Sequence, residues 1–512
     1  MSPGIDPKEV MIGVASAGYQ IEGGFNGPGE PANNWYWWER SGRVEPSGIA
    51  CDFWREPEVA LDRAASLGAN AFRLSVEWAR IEPSEGVVDQ SAIDGYVSIL
   101  RACRERGMRP VVTLFHFTHP RWLGEEFWLT PDAPRRFSEF VLRVVPELVE
   151  HCEYWVTINE PNILALAGWI AGIHPPGRKL AVSDAWAVTD NLLAAHVLAY
   201  RAIHRYQPGA TVTVNTSASS IYEFDRMLTD LLMAPAMEVG RDELDDWIDE
   251  RRIVHNFSAS PETRQELWMR QIFEASSPYG SGARSASNRP GLPCSPARRS
   301  RFRSRQSRRV VDLLYAEEGE RLLDVVGFDW YDPVASHALA LPGREREWGR
   351  ILGRSWSPVR ELWDTQADPA ALARWCVEHG AFYGGVPVWI VENGMSTLVR
   401  NGRSYPRADG MNRPRYLAEH FGAVARAVAS GAPLGAYLHW SLVDNYEWGS
   451  YGPRFGIFGM DRSRGSRGVR WMETDAAGYD SAGAFRRLVS ALRDGSLDDA
   501  GSVGTLDARR DR

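Results

Sequence analysis

The chain has 512 residues, with 58 lysines and arginines against 66 aspartates and glutamates, a formal net charge of −8. Its 44% hydrophobic and 24% charged content is that of an ordinary globular protein, which excludes a disordered chain, a collagen-like repeat and a disulfide-built scaffold. The mild acidity argues against a nucleic-acid partner, and no stretch approaches the ~20 apolar residues that span a bilayer, so no membrane partner is expected.

The first ten residues carry Asp6, Lys8 and Glu9 without an apolar core, so no secretory signal is read and a cytoplasmic location is expected. Cys51, Cys103, Cys152, Cys294 and Cys376 are scattered and form no CxxC pair. They are read as reduced thiols rather than as disulfides or zinc ligands.

Short β-branched or apolar runs recur, each ending in polar residues. They predict strands near Val10 to Ala15, Ala71 to Val76, Pro110 to Phe117, Tyr154 to Asn159, Thr211 to Thr216, Leu323 to Trp330, Val386 to Glu392 and Leu434 to Leu442. Helical patterning separates them. Ile93, Tyr96, Val97, Leu100 and Cys103 form one apolar stripe, which Gly107 is placed to end. Phe137, Phe140, Val141, Val144, Val145 and Leu148 form another, in which Pro146 predicts a kink. Eight strands alternating with helices predict an α/β fold of the (β/α)8 TIM-barrel type, a single domain over residues 1–492, with a doubly wound open sheet as the competing topology.

Residues 278–309 hold nine arginines and no acid among many serines, prolines and glycines, and are read as a solvated, flexible insertion. Residues 493–512 read as a polar C-terminal tail.

In a barrel the chemistry belongs at the C-terminal ends of the strands. Two acids stand there: Glu160 after Thr157-Ile158-Asn159, and Glu392 after Trp389-Ile390-Val391. A carboxylate that follows directly on buried strand is costly unless it is paired or used. Strands four and seven face each other across an eight-stranded mouth. Paired carboxyls there suit glycosidic cleavage, one protonating the leaving oxygen while the other attacks the anomeric carbon; structural ion pairs or a metal site fit the bare pattern as well. His116 and His119 lack a matching third ligand, so no metal is expected. Among Trp35, Trp37 and Trp38, packing is favoured over a pocket wall.

Five ordered stretches then carry a resemblance: Ala17-Gly18-Tyr19-Gln20-Ile21-Glu22-Gly23, Phe72-Arg73-Leu74-Ser75-Val76-Glu77-Trp78, the Thr157 to Pro161 block, Glu392-Asn393-Gly394, and Trp440-Ser441-Leu442-Val443-Asp444-Asn445-Tyr446-Glu447-Trp448. From about Gly13 to about Asp461 the chain resembles glycoside hydrolase family 1, the β-glucosidase-like retaining β-glycosidases of the (β/α)8 fold. The resemblance implies a covalent glycosyl-enzyme mechanism, with Glu160 as acid/base and Glu392 as nucleophile. Arg73, Tyr331 and Asn159 would support them, and Gln20, His116, Asn159, Trp440, Glu447 and Trp448 would hold the sugar. No cofactor is implied, and the expected partner is a small β-glycoside or short oligosaccharide.

Glu447 implies an unphosphorylated sugar of the glucoside, galactoside or fucoside type. A transglycosidase, or a non-catalytic sugar-binding protein, are the competing readings. Two departures stand out: Asp329-Trp330 precedes Tyr331 where the family carries Asn-Tyr, and Phe115-His116-Phe117 replaces the commoner Tyr-His-Trp.

Overall fold

The eight apolar runs become eight parallel strands: β1 (Met11–Ala15), β2 (Ala71–Ser75), β3 (Arg109–Thr113), β4 (Tyr154–Asn159), β5 (Thr211–Ser217), β6 (Val326–Trp330), β7 (Val388–Asn393) and β8 (Leu434–Trp440). The computed structural model describes residues 9–219, 221–258, 273–280, 308–331, 367–400, 403–405, 407, 409–463 and 468–497. Each strand pairs with its sequence neighbours and β8 pairs with β1, so the sheet closes into a barrel rather than an open doubly wound sheet.

Each strand is followed by a helix on the outside: α1 (Pro57–Ser66), α2 (Gln90–Glu105), α3 (Ala133–Leu148), α4 (Val182–Tyr206), α5 (Arg309–Leu314), α6 (Pro369–Phe382), α7 (Arg413–Ala429) and α8 (Ser481–Asp494). Local chemistry sets their ends. The Asp89 side chain accepts from the Ser91 and Ala92 amides to start α2, and Gly107, at φ 73°, turns the chain after it. Asp368, Asn412 and Asp480 cap α6, α7 and α8 in the same way. Pro146 lies in the last turn of α3, which ends at Leu148, and having no N–H it leaves the Leu142 carbonyl without its usual helical donor.

Strand alternation divides the core into two layers. On β6, Phe328 and Trp330 point outward onto His379 and Trp375 of α6. Val111, Val156, Trp389, Val391, Ala436 and Leu438 point inward and fill the barrel, which is a packed core and not a pore. Chemistry is thereby confined to the rim.

The third strand stops at Thr113, short of the predicted Phe117. Residues 114–117 therefore form part of the mouth, with Phe117 at a φ of 67°. The sixth strand begins at Val326, three residues after the predicted Leu323. Of the arginine-rich segment, 281–307 lies outside the described residues, as does 498–512 of the tail. Its far border is anchored: Arg308 pairs with Asp245 at 3.0 Å, and the Arg309 amide donates to Asp190 at 2.9 Å. Cys51, Cys103, Cys152 and Cys376 are buried free thiols, and Cys294 lies outside the described residues. Among the described residues no helix is long and apolar enough to cross a membrane.

Candidate active site

Both glutamates reach the mouth through interruptions of strand alternation. On β7, Trp389 and Val391 point into the barrel, so strict alternation would turn residue 392 outward. One extra residue intervenes there. Ile390 pairs with Phe328 and Tyr437, but the next partners are Glu392 with Asp329 and Asn393 with His439. This irregularity re-aims Glu392 into the rim and leaves Asn393 facing outward, where it bonds the Tyr416 and Tyr437 hydroxyls. A Cβ on the next residue, Gly394, would fall 1.8 Å from the Trp440 carbonyl oxygen, so only glycine lets the chain leave the strand here.

On β4 the register likewise shifts between Val156 and Asn159. Glu160 follows at φ 37° and ψ 65°, a left-handed conformation costly for a non-glycine residue, with Pro161 opening the next helical turn. Its amide is held by the Asn215 carbonyl at 3.0 Å.

The surroundings of the two acids differ. Glu392 forms a buried ion pair with Arg73 and accepts a hydrogen bond from the Tyr331 hydroxyl at 2.5 Å. Arg73 is fully buried and spends every nitrogen: Nη1 on Glu392, Nη2 on Asn159 Oδ1 at 2.6 Å, and Nε on Thr113 Oγ1 at 2.9 Å. A buried guanidinium costs several kcal/mol unless so satisfied. Glu160, only 7% exposed, has no such ion pair among the described residues. Burial first, and the Glu392 charge second, push its carboxyl up to about 8, while Ser217, Asp329 and Arg73 pull the other way. One acid thus has a cation against it and the other is kept protonated by its environment, the division of labour that acid-assisted nucleophilic attack requires.

Around them lies a set of polar groups and flat rings. Gln20 Nε2 donates to Glu447 and to Asn445, both at 3.2 Å, and Trp440 Nε1 donates to Glu447 at 3.3 Å. Asn159 Nδ2 donates to His116 Nε2 at 3.3 Å, which puts the ring proton on Nδ1; burial and Arg73 hold this imidazole far below its ordinary pKa. Its ring lies nearly parallel to those of Trp440 and Trp448, with centroids 5.8 and 5.7 Å away. Gln20 Oε1 and His116 Nδ1 are buried without a hydrogen-bond partner among the described residues. Buried polar atoms of this kind normally find one, and here they face the same rim as the acids.

All ten residues singled out from the sequence, Gln20, Arg73, His116, Asn159, Glu160, Tyr331, Glu392, Trp440, Glu447 and Trp448, lie on this rim. His119 turns aside and bonds the Gly124 carbonyl at 2.9 Å. Among the described residues no group of three or more His, Cys, Asp or Glu side chains is arranged to hold a metal ion. The tryptophan cluster splits: Trp35 and Trp38 are buried, with Trp35 packed on Trp448 and His174, whereas Trp37 is 56% exposed.

The model of glycosyl hydrolase family 1 matches residues 4–272 and 313–481. The chain belongs to that family. As a family 1 member it is a glycoside hydrolase of β-glucosidase-like type, and the interval between the two matched stretches contains the whole of the arginine-rich segment. It is 26% identical over 483 residues to a 1,4-beta-D-glucan glucohydrolase of Thermotoga neapolitana, covering 91% of this chain and 95% of that one. It is also 26% identical over 469 residues to 6-phospho-beta-galactosidase 1 of Streptococcus pneumoniae, covering 91% and 96%. The structure of a beta-glucosidase from Thermotoga maritima in complex with castanospermine superposes with a TM-score of 0.67 at 22% identity, over 96% of this chain and 99% of that chain.

The family 1 rim also contains residues that motif reading passed over. Thr113 and Asn215 buttress the pair from below: Asn215 Nδ2 donates both to Asn159 Oδ1, at 2.8 Å, and to Asp329 Oδ2. An asparagine inside a buried strand is itself a signal, because a side-chain amide there must be satisfied. Ser217 beside Glu160 and Phe455 beside Tyr331, at a centroid distance of 5.9 Å, gave none.

Proposed function

We propose that this enzyme hydrolyses unphosphorylated β-D-glycosides of the glucoside, galactoside or fucoside type, with retention of configuration through a covalent glycosyl-enzyme. Glu392 attacks the anomeric carbon while Glu160 gives its proton to the departing oxygen; Glu160 then takes a proton from water, whose oxygen displaces Glu392. The observation that carries this reading is the contrast between the two acids: Glu392 paired with Arg73 and bonded by Tyr331, Glu160 buried with no ion pair among the described residues.

The remaining roles follow from chemistry. Asn159, fixed by Arg73 and Asn215, is suited to the 2-hydroxyl, where contacts tighten in the transition state. Gln20 Oε1 and His116 Nδ1 supply an acceptor and a donor for further hydroxyls. Trp440 and Trp448 offer flat apolar faces to the pyranose.

Glu447 supports an unphosphorylated sugar. Burial raises its carboxyl, and the groups acting most strongly on it are Trp440, Glu392, Gln20 and Asp444. No cation is among them, so of the described groups that act most strongly there a phosphate dianion would meet carboxyls rather than a counter-charge. The unpaired thiols of Cys51, Cys103, Cys152 and Cys376 suit a reducing compartment and support a cytoplasmic location.

Nitrophenyl β-glycosides with and without a 6-phosphate separate these substrates. Release of nitrophenol is expected from the unphosphorylated series, with kcat/KM at least about 100-fold higher than for the 6-phosphates. Preference for the phosphates would refute the substrate assignment. An added alcohol should capture only a minor share of the glycosyl group; if it captured most of it, the chain would be a transglycosidase.

A further inference from the structure

Three carboxyls gather at the head of the barrel around the one guanidinium of Arg73. Two are the proposed nucleophile and acid/base. The third is Asp329 on β6, in register with Ser217 on β5 and with Glu392 on β7. It is fully buried. Its Oδ2 accepts from Asn215 Nδ2, the amide that also bonds Asn159, while its buried Oδ1 receives no hydrogen from any donor among the described residues. Glu160 follows Asn159, whose Oδ1 accepts from the same Asn215 amide, and its own N–H donates to the Asn215 carbonyl, which brings the two acids to the same end of β5.

Once Glu160 has given its proton to the leaving oxygen, an ionised Asp329 beside it would make two carboxylates that offer each other only acceptors, and like charges so placed cannot both persist. Arg73 gives no relief, because its nitrogens are engaged by Glu392, Asn159 and Thr113. A proton kept on Asp329 resolves the contact, turning its Oδ1 from an orphaned acceptor into a donor.

We propose that Asp329 is a positioning residue, an uncharged carboxylic acid whose O–H is donated to the Glu160 carboxyl. The proposal rests on reading Glu160 as the acid/base. In the first half-reaction the Glu160 proton moves to the glycosidic oxygen, the bond from the anomeric carbon to that oxygen breaks, and an ester bond to Glu392 forms. Glu160 is left as a carboxylate, and the Asp329 O–H stabilises that charge. In the second half-reaction Glu160 recovers a proton from water, hydroxide oxygen bonds the anomeric carbon and the ester breaks. The Asp329 proton is kept throughout. An amide at this position would also offer a donor, but an O–H donated to a carboxylate makes the stronger bond.

The charged and titratable groups facing Asp329 are Glu160 from the end of β4, Glu392 from β7, Arg73 from β2 and Tyr331 from its own strand end; Asn215 and Ser217 on β5 are uncharged. Burial, then Glu392 and Glu160, hold its carboxyl well above the ordinary range against the opposite pull of Arg73 and Asn215.

The test combines carbon-13 NMR of full-length protein labelled at the aspartate carboxyl carbon with pH profiles of kcat/KM. At neutral pH the wild type should show a protonated aspartate resonance that disappears in Asp329→Asn. In Glu160→Gln that resonance should persist but titrate at lower pH, because the Glu160 charge no longer opposes its ionisation. Asp329→Asn replaces a strong donor by a weaker one, so Glu160 becomes a weaker acid and the alkaline limb of kcat/KM moves up, by as much as about one pH unit. An ionised Asp329 would instead raise Glu160 in the wild type, and Asp329→Asn would move the limb down. A downward or absent shift, or an Asp329 resonance ionised at neutral pH, overturns the proposal. If no β-glycoside is hydrolysed, the resonance still reports the proton, so failure of the functional reading is distinguishable from failure of this one.

Discussion

Replacing Glu392, the proposed nucleophile, with alanine is expected to lower kcat/KM by about 10⁴-fold or more, because it removes the group assigned to bond the anomeric carbon and leaves its partners in place. Arg73 and Tyr331, which now hold the carboxylate, would line an anion-sized space in its stead. Added azide should therefore restore turnover of activated aryl glycosides. The route then has one displacement instead of two, so the glycosyl azide must carry the α configuration, opposite to the substrate. A β-configured azide would mean that a second attacking group remains and that Glu392 is not the nucleophile.

Glu160→Gln should act selectively. The amide keeps the size of the side chain and its place at the barrel rim but has no proton to give, so leaving groups that need protonation should lose about 10²–10⁴-fold in kcat/KM while nitrophenolate-type leaving groups lose far less. The pH profile gives a second readout. In the proposed mechanism Glu160 works in its protonated form, and burial with the Glu392 charge raises it to about 8, so wild-type kcat/KM should hold through neutral pH and fall as pH rises through about 8. The variant should lack that limb. Equal losses for good and poor leaving groups, or an unchanged limb, would assign the proton to another group.

The barrel was legible in the sequence because each strand is a short apolar run bounded by polar residues and each helix carries one apolar stripe; these are local patterns. The pair of acids was legible because a carboxylate directly after buried strand needs a reason. What local patterns do not carry is the aim of those side chains. Period-two alternation turns Glu392 outward, and only the extra residue, visible in the pairing with both β6 and β8, brings it back. Asn215 and Asp329 are similar: each is a polar residue in a strand, and their connection with Asn159 and Glu160 exists only once β4, β5 and β6 lie side by side. Trp37 was grouped with Trp35 and Trp38 by proximity in sequence, yet on the short helix Tyr36–Arg40 it turns to the outside while Trp38 is buried.

The most direct test of the account is to trap the glycosyl-enzyme. A 2-deoxy-2-fluoro β-glycosyl fluoride keeps a good leaving group, so the first step proceeds. Its fluorine destabilises the positively charged transition state and removes the 2-hydroxyl contact assigned to Asn159, so the second step stalls. Mass mapping of the digested protein should find a single fluoroglycosyl group, and it should sit on Glu392; an adduct on Glu160 or any other residue, or turnover that passes through no covalent adduct and inverts the sugar, would contradict it.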